Sequence, residues 1–443
     1  MKTNTLLSAR GSVLLSAAMT AGVLAILIAG FLTYMSNEYN LNFRAHRWNQ
    51  SFHLAEAAVE TGIAEYNYWY YLGSSGFESS RGWTSLGGNS YSKTVADLTD
   101  NSGNVVGTLS VTASNVNTTN PTFRGVGTVT SSNYGGPSIA RAVQVTLAPS
   151  PKFPLGLMAL STIDMNGNNI YTDSYDSSDT TKSTGGKYDV GKRQPNGNIG
   201  TDDTIINSVS IGNANVYGTV STGLGGTVTM GPNGSIGPSF SNPATSVSAA
   251  TADGWIKSDF DVNIPDVTLP SGFPSASSGS INGNTMLNAG GGTVYLKYDS
   301  ISLSGSKTLT VTNGTVNLYV TGDTSVSGNG QIVISSGASL TMYAGGSMSI
   351  AGNGMANNSG GATSAQFYGL PTSTSWSISG NGIWAGTVYA PEAALTMNGG
   401  GNAGDVSGAF VTKTITLSGH TKFHYDETLK KTGPVNGYLA ASW

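Results

Sequence analysis

The sequence has no cysteine and few charged residues. Its 443 residues include 20 Lys and Arg and 24 Asp and Glu, so charge makes up 10% of the chain, against about 25% in an ordinary soluble domain. Without cysteine there is neither a disulfide framework nor a thiolate metal site. A net charge of −4 with no basic stripe argues against nucleic-acid binding as the main task. A mean hydropathy of −0.07 excludes disorder driven by charge.

What the sequence does have is glycine, 61 residues in all, which is about twice the usual share. Ser, Thr and Asn accompany it along most of the chain, which is typical of short strands joined by tight turns. The pattern divides the chain into five segments. These are a leader at 1–11, a long helix at 12–71, a Gly/Ser linker at 72–90, a small antiparallel β region at 91–150 and a Gly-rich β region at 151–443.

The N-terminal segment has the pattern of a membrane-spanning helix. Lys2 and Arg10 precede an uncharged run, and residues 12–32 of that run are almost entirely apolar. At 1.5 Å per residue this stretch spans roughly 30 Å, the thickness of a hydrocarbon core. The two cations place the short leader on the cytoplasmic side. A secretory signal peptide is the alternative, but its apolar region would be shorter and would end at a small-x-small site.

The helix is expected to continue beyond the membrane as an amphipathic segment at 33–71. Apolar side chains recur there at steps of three and four residues, which is one face of a helix. These residues are Phe52, Ala55, Val59, Ile63 and Tyr66.

Two motifs in this segment resemble those of bacterial pilins. Arg10-Gly11 followed by Ser12 and an apolar run resembles a prepilin leader of the class III type. Ala55, Glu56, Ala57 and Ala58 resemble the AEAA box of PilX-like minor pilins. The resemblance covers residues 8–66. It implies that a prepilin peptidase cleaves between Gly11 and Ser12, and that the chain then passes from the bacterial inner membrane into a type IV pilus or pseudopilus among other pilin subunits.

One position departs from the family pattern. Most pilins carry Glu at the fifth mature position, where it pairs with the N-terminal amine of a neighbouring subunit, and this chain has Ser16 there. The difference favours a minor or tip subunit over a major pilin. A plain membrane anchor without a pilus is the alternative that the residues leave open.

An internal repeat predicts the fold of the C-terminal region. Residues 319–330 align without a gap with residues 343–354, an offset of 24 residues. In both segments apolar residues alternate with polar ones, and a Gly turn follows. The same pattern recurs elsewhere in the region. A period in the twenties built of short strands indicates a β-solenoid, whose coils bury a shared core only by stacking. An antiparallel sandwich is the alternative that short alternating strands also allow.

Two polar boxes flank this region, at 173–177 and 422–427. Both resemble boxes of an uncharacterised Gly-rich domain that follows PilX-like segments in bacterial envelope proteins. That resemblance covers residues 153–430 and assigns no chemistry.

Few residues have the pattern of a chemical site. Asp173, Asp176 and Asp179 are the candidate ligands of a calcium ion, because carboxylate oxygens on a Gly-rich loop suit that cation. The alternative is a turn with solvated carboxylates. His420 and His424 are four residues apart, but on a strand this spacing separates them by roughly 13 Å. A polar cap on the last coil is therefore favoured over a zinc site.

The main alternative class of function is an enzyme, since parallel β-helices include polysaccharide lyases and hydrolases. The only Arg after residue 150 is Arg193. In the regular coils, Glu392 and Asp405 are the only two carboxylates expected to lie close enough together for hydrolysis by a carboxylate pair. Trp384 and Tyr389 are either platforms for a glycan or packing residues. We therefore expect no catalytic residues and no cofactor other than the candidate calcium.

The sequence as a whole predicts a mainly β chain with one long N-terminal helix. The expected architecture is a pilin-like helix with a small antiparallel sheet, followed by a right-handed parallel β-helix. The expected function is a non-enzymatic minor or tip subunit of a type IV pilus or pseudopilus. Its head would lie in the periplasm and then at the cell surface, for display or adhesion with surface glycans as candidate partners. The alternative is a membrane-anchored β-helix that binds or cleaves polysaccharide.

Overall fold

The computed structural model describes residues 6–72, 81–99, 101–103, 105–130, 138–167, 169–380, 384–399 and 405–442. The chain forms two compact units. The first, called here the helix–sheet unit, comprises Met1–Pro149 with Tyr438–Trp443. The second, the ladder unit, comprises Ser150–Gly437.

The elements within the described residues are numbered in chain order. The helices are α1 (Leu6–Leu72), α2 (Val247–Ala252) and α3 (Thr428–Thr432). The first five strands are β1 (Thr84–Gly87), β2 (Ser90–Thr99), β3 (Val105–Ser114), β4 (Thr122–Val129) and β5 (Ile139–Pro151). The next ten are β6 (Leu157–Ala159), β7 (Ile163–Met165), β8 (Tyr171–Tyr175), β9 (Ile199–Thr201), β10 (Val209–Ser210), β11 (Asn215–Val216), β12 (Val220–Ser221), β13 (Val228–Thr229), β14 (Ser235–Ile236) and β15 (Ile256–Lys257). The last sixteen are β16 (Thr285–Asn288), β17 (Thr293–Tyr298), β18 (Ile301–Leu303), β19 (Thr308–Thr312), β20 (Thr315–Val320), β21 (Thr324–Val326), β22 (Gln331–Ile334), β23 (Ser339–Ala344), β24 (Met348–Ile350), β25 (Met355–Asn357), β26 (Ala365–Gly369), β27 (Ser375–Gly380), β28 (Trp384–Gly399), β29 (Asp405–Gly419), β30 (Lys422–Asp426) and β31 (Val435–Ser442).

The helix α1 is long and apolar enough in its N-terminal half to cross a membrane. A window of 18 residues has a mean hydropathy of 2.3, and none of it is buried. Its large apolar side chains face outward; Leu14, for example, is 75% exposed and Ile26 is 74% exposed. The helix begins within the segment assigned to the leader, since residues from Leu6 onward are helical. Residues 1–5 of the leader and 73–80 of the linker lie outside the described residues.

The C-terminal half of α1 packs against an antiparallel sheet in the order β1-β2-β3-β4-β5-β31. Glycines let the two backbones approach each other. A Cβ at Gly125 of β4 would collide with the carbonyl oxygen of Ala55, and one at Gly127 would collide with that of Ser51. Only residues without a side chain fit at such a contact. Ala55 and Ala58 of the AEAA box are fully buried and face the core of the helix–sheet unit.

The last strand of the small sheet comes from the far end of the chain. β31 joins the edge of β5, and residues from Tyr438 onward belong to the helix–sheet unit. Tyr438 packs on Tyr66 with ring centroids 5.1 Å apart. The domain boundaries predicted from the sequence assigned these residues to the C-terminal region. Local patterning cannot show that a strand pairs with a partner almost 300 residues earlier.

The ladder unit is built from parallel strand pairs with a regular offset along the chain. Tyr319 pairs with Tyr343, and Val326 pairs with Ile350. The 24-residue alignment found in the sequence is therefore the register of the strands themselves. Along β21 and β24 the first and third residues are buried and the middle one is exposed. Alternate side chains thus line a common core, as a pleated strand requires.

The ladders do not follow the order of the sequence. One of them runs from β17 through β20, β23, β26, β28 and β29, and then continues on β6, β9, β12 and β15. Phe410 of β29 pairs with Leu157 of β6, and Ile415 pairs with Ile163 of β7. The two ends of the ladder unit's chain therefore meet inside the stack. The segment between β15 and β16 connects one end of the stack to the other.

A column of tyrosines marks one face of this unit. Tyr319, Tyr343, Tyr368 and Tyr389 lie in consecutive strands in register. Tyr389 is 1% exposed and its hydroxyl donates to the carbonyl of Pro265 in the connecting segment. Trp384 is equally buried. Both Trp384 and Tyr389 are therefore packing residues, which decides between the two roles that the sequence left open.

The coarse architecture is confirmed. The protein is mainly β, with one long N-terminal helix, an antiparallel sheet in one unit and parallel sheets in the other.

Candidate functional site

The two polar boxes of the sequence lie side by side in the structure. β8 and β30 form a parallel pair that places His424 opposite Asp173 and Asp426 opposite Tyr175. Phe423 and Tyr425 belong to the core of the ladder unit. Because side chains alternate along a strand, His424 points away from that core. A loop that carries Tyr188 and Arg193 covers it.

His424 is fully buried between two carboxylates. Its Nδ1 lies 2.5 Å from Oδ1 of Asp173, which is also fully buried. Its Nε2 lies 3.7 Å from Oδ1 of Asp405, too far for a hydrogen bond but close enough for strong attraction. The ring of Tyr188 stacks on the imidazole with centroids 3.5 Å apart and planes 16° apart.

The two carboxylates control the charge of the imidazole. Burial alone would lower the pKa of His424, but the hydrogen bond to Asp173 and the attraction to both Asp173 and Asp405 outweigh it, so the pKa of His424 is raised. The same contact holds the pKa of Asp405 below its usual range. We therefore expect the protonated form of His424 to persist to a higher pH than that of an ordinary histidine.

The second oxygen of Asp173 has its own partners. The hydroxyl of Tyr188 donates to Oδ2 at 2.9 Å, and Nη1 of Arg193 lies 3.7 Å from the same atom. Burial and the nearby carboxylate raise the pKa of Tyr188, so the hydroxyl stays protonated. Arg193, the only Arg after residue 150, thus supplies a positive charge to this cluster.

Asp176 and α3 form a second polar cluster beside the first. Nζ of Lys431 lies 2.6 Å from Oδ2 of Asp176, and the hydroxyl of Thr428 donates to Oδ1 at 2.8 Å. Burial opposes ionisation of Asp176, but the bonds from Lys431, Ser178 and Thr428 prevail and hold its pKa well below the usual range. This cluster fastens the end of β30 to the loop after β8.

The three candidate calcium ligands have different partners. Asp173 binds His424, Asp176 binds Lys431, and Asp179 accepts hydrogen bonds from the backbone and hydroxyl of Thr181 at 2.8 and 2.6 Å. Within the described part of the chain, no group of three or more His, Asp or Glu side chains could hold a metal ion. The calcium site stays a prediction.

The other predicted site residues belong to α1. The helix includes Gly11 and Ser12, whose cleavage stays a prediction. Ser16 is exposed, and its hydroxyl donates to the carbonyl of Val13 at 3.0 Å. In the AEAA box, Glu56 lies 3.0 Å from Nδ1 of His53 on the neighbouring turn. Of the carboxylates considered for hydrolysis, Glu392 pairs with Lys413 at 3.0 Å, while Asp405 lies beside His424.

A cavity of about 440 Å³ opens beside His424 and Asp405. Tyr188 and Lys187 line it from the covering loop, and Ser407 lines it from β29. It is also lined by the amide side chains of Gln331, Asn353, Asn357 and Asn358 and by the apolar side chains of Met355, Ala356 and Ala385. Sequence reasoning missed this site because its residues are far apart along the chain. The only signal was the pair of polar boxes, which on its own did not indicate that they meet.

The pH dependence of folding gives a test of this arrangement. A raised pKa means that the folded state binds the His424 proton more tightly than the unfolded chain, whose His pKa is about 6.5. The stabilisation is fully present below that value and is lost as the pH rises through the folded-state pKa. We expect the free energy of unfolding, measured by urea titration, to fall as the pH increases above 6.5.

The matched variant is His424→Gln, which cannot titrate. Its free energy of unfolding should be lower than that of the unchanged protein at pH 6 and should change less between pH 6 and pH 8. Identical slopes for the two proteins would show that His424 does not titrate between its two carboxylates.

Comparisons with known proteins cover parts of the chain. Residues 274–432 match the family model described as a domain of unknown function (DUF7305), which is less than half of the chain. The crystal structure of the competence-associated pilin ComZ from Thermus thermophilus is similar at 14% sequence identity and a TM-score of 0.27, over 88% of this chain and 96% of that chain. No curated protein matches this sequence.

Proposed function

We propose that this chain is a structural subunit of a bacterial type IV pilus or pseudopilus, in a minor or tip position. The inner membrane would hold it through α1 until assembly, and other pilin subunits would then surround the same helix. The ladder unit would be its head, which serves surface display or adhesion. The proposed role needs no catalytic residue and no cofactor.

The observation that carries this proposal is the contrast between the two halves of α1. From Val13 to Met35 the large apolar side chains are all about half exposed or more. From Ser51 onward the same helix packs tightly on β4. An exposed apolar surface of this length needs a partner, which is lipid before assembly and other helices in a filament.

We also propose that the parallel ladders form a right-handed β-solenoid. Successive partners from β17 through β20 and β23 to β26 lie 22 to 25 residues apart, as in Thr293 with Thr315 and Leu340 with Ala365. Within each such interval the chain contributes one strand to each of the other ladders and then returns to the first ladder. This repeated path supports a coil as the structural unit, with each coil stabilised by its neighbours.

Leader processing tests the pilin part of the proposal. We expect the mature chain to begin at Ser12, because the leader resembles one that is cut after Gly11. Replacing Gly11 with Val should block cleavage and keep the chain in the membrane with its leader intact. The measurement is mass spectrometry of the N-terminal peptide from cell membranes. If the unchanged protein is found only with Met1 at its N-terminus, the proposal is contradicted.

Gly22→Val is the matched control, since Gly22 lies in the same helix and a Cβ there would meet nothing within 4 Å. This variant should be processed as the unchanged chain is. If both variants lose processing, the cause is a general fault of the apolar helix and not recognition of the leader.

The second candidate is a membrane-anchored β-helix that binds or cleaves polysaccharide. The buried His424 and the partly exposed Asp405 beside a cavity are the observation that favours it. Release of reducing sugar or unsaturated product from polysaccharide by the purified protein, lost in Asp405→Asn, would support this candidate over the structural role.

A further inference from the structure

Two residues that line the same cavity each carry a buried polar atom without a hydrogen-bond partner among the described residues. They are Nε2 of His424 and Oδ1 of Asp405. The two atoms are 3.7 Å apart and do not satisfy each other. Buried polar atoms of this kind are rare in folded proteins, because leaving one without a partner is unfavourable. Because both residues line the cavity, a group bound there is placed to supply the partner.

The chemistry of the pair restricts the missing group. Asp173 occupies Nδ1 of His424, and the carboxylates on both sides of the ring favour its protonated form, in which Nε2–H is a donor. Asp405 presents an acceptor. A hydroxyl group both accepts and donates, so one hydroxyl placed between the two atoms satisfies both of them. At the position between these two atoms, an anionic group would be repelled by Asp405 and an ammonium group would be repelled by the imidazolium. Nζ of Lys422 lies 3.9 Å from the same oxygen of Asp405, and Lys187 lines the cavity.

The remaining walls fit a ligand with several hydroxyl groups. The amides of Gln331, Asn353 and Asn358 supply further donors and acceptors. Met355 and Ala385 supply apolar surface between them. The volume of about 440 Å³ lies within the range of about 300–1,000 Å³ of ordinary small-molecule sites. A sugar ring combines hydroxyl groups with apolar C–H faces in the same way.

We propose that this cavity binds a neutral saccharide, one hydroxyl of which bridges Nε2 of His424 and Oδ1 of Asp405. The covering loop with Tyr188 forms one side of the site, and β29 and β30 form the other. As the ligand of an adhesive head, the saccharide rests on the proposed function. The binding itself concerns the ladder unit alone and can be measured without filaments.

The experiment uses the purified full-length chain in a detergent without a sugar headgroup, so that the detergent does not compete. An array of neutral and acidic oligosaccharides identifies the best neutral ligand, whose affinity is then measured by titration calorimetry. We expect binding of at least one neutral saccharide and none of the uronic acids. If no neutral saccharide binds, or if acidic ones bind more tightly, the proposal is wrong.

Variants locate the binding in the cavity. Asp405→Ala should weaken the affinity about 10-fold or more, since a hydrogen bond to a charged group is lost, and Asp405→Asn should recover part of it through the amide oxygen. Asn358→Ala changes an exposed residue and should weaken binding without altering thermal stability. Glu392→Ala is the matched control, because Glu392 pairs with Lys413 as Asp405 pairs with Lys422, but Glu392 does not line the cavity.

The variants have two contradictory outcomes. If Asp405→Ala and Asn358→Ala both bind as tightly as the unchanged chain, the saccharide binds elsewhere. If Glu392→Ala weakens binding as much as Asp405→Ala does, the effect is not specific to the cavity. A failure of either kind leaves the leader-processing result untouched, so it is distinguishable from a failure of the pilus proposal.

Discussion

Replacing Val326 with Asp is expected to destabilise the ladder unit by about 3–5 kcal/mol, the cost of an uncompensated buried charge. Val326 is 1% exposed and stands in register between Leu303 and Ile350, which are buried to the same extent. A carboxylate at this position would meet only apolar neighbours in the column. The measurement is urea unfolding of the full-length chain in detergent micelles, followed by the emission of the buried tryptophans Trp376 and Trp384.

Ser325→Asp is the control, because Ser325 precedes Val326 on the same strand and is exposed. It should change the unfolding midpoint by little, since its carboxylate stays in water. If Val326→Asp is tolerated as well as Ser325→Asp, the apolar residues of this strand face solvent and the assigned register is wrong.

Replacing Gly127 with Val should detach α1 from the small sheet. A Cβ at this position would collide with the backbone of Ser51 and of Ala55, and backbone atoms cannot move aside as a side chain can. Overpacking of this kind costs about 1–3 kcal/mol or more. Hydrogen-exchange mass spectrometry should show faster exchange in residues 51–66 and in β4, while the ladder unit keeps its protection.

Thr128→Val introduces the same side chain one residue later, on the other face of β4, and should leave exchange unchanged. Equal exchange in Gly127→Val and the unchanged chain would mean that α1 and β4 do not make the close contact described here.

The sequence was informative where structure depends on local pattern. The apolar stripe through Ala55, Val59 and Tyr66 predicted the helical face that the structure buries. The repeat that aligned Tyr319 with Tyr343 predicted the strand register. Both patterns come from a periodic contact, every third or fourth residue in a helix and once per repeat in the ladders, so one sequence is enough to find them.

The order of the strands in the stack could not be predicted. The repeat suggested that each segment pairs with the next one along the chain, yet β29 pairs with β6 and β30 pairs with β8. Parallel pairing requires only matched pleats and an apolar core face, and many short strands here meet that requirement equally well. Nothing in the local residues distinguishes a neighbour in sequence from one 250 residues away.

The same limit explains why the site was missed. The sequence predicts His424 as part of a polar cap, because on a strand it lies roughly 13 Å from His420, too far to share a metal ion. For its partner Asp173 the sequence suggests a calcium ligand or a solvated carboxylate in a turn. Tyr188, which stacks on the imidazole, carries no motif at all. The site depends on the junction between the two ends of the ladder unit, which becomes visible only in three dimensions.

The most direct test of the central claim is to look for this chain in filaments. Surface filaments are sheared from cells, purified and digested, and their peptides are identified by mass spectrometry, with cells that carry Gly11→Val as the comparison. The account predicts peptides from both units, in amounts below those of the main filament protein, and their absence from filaments of the variant strain. Recovery of the chain only in washed membranes, with filaments present but free of it, would contradict the account.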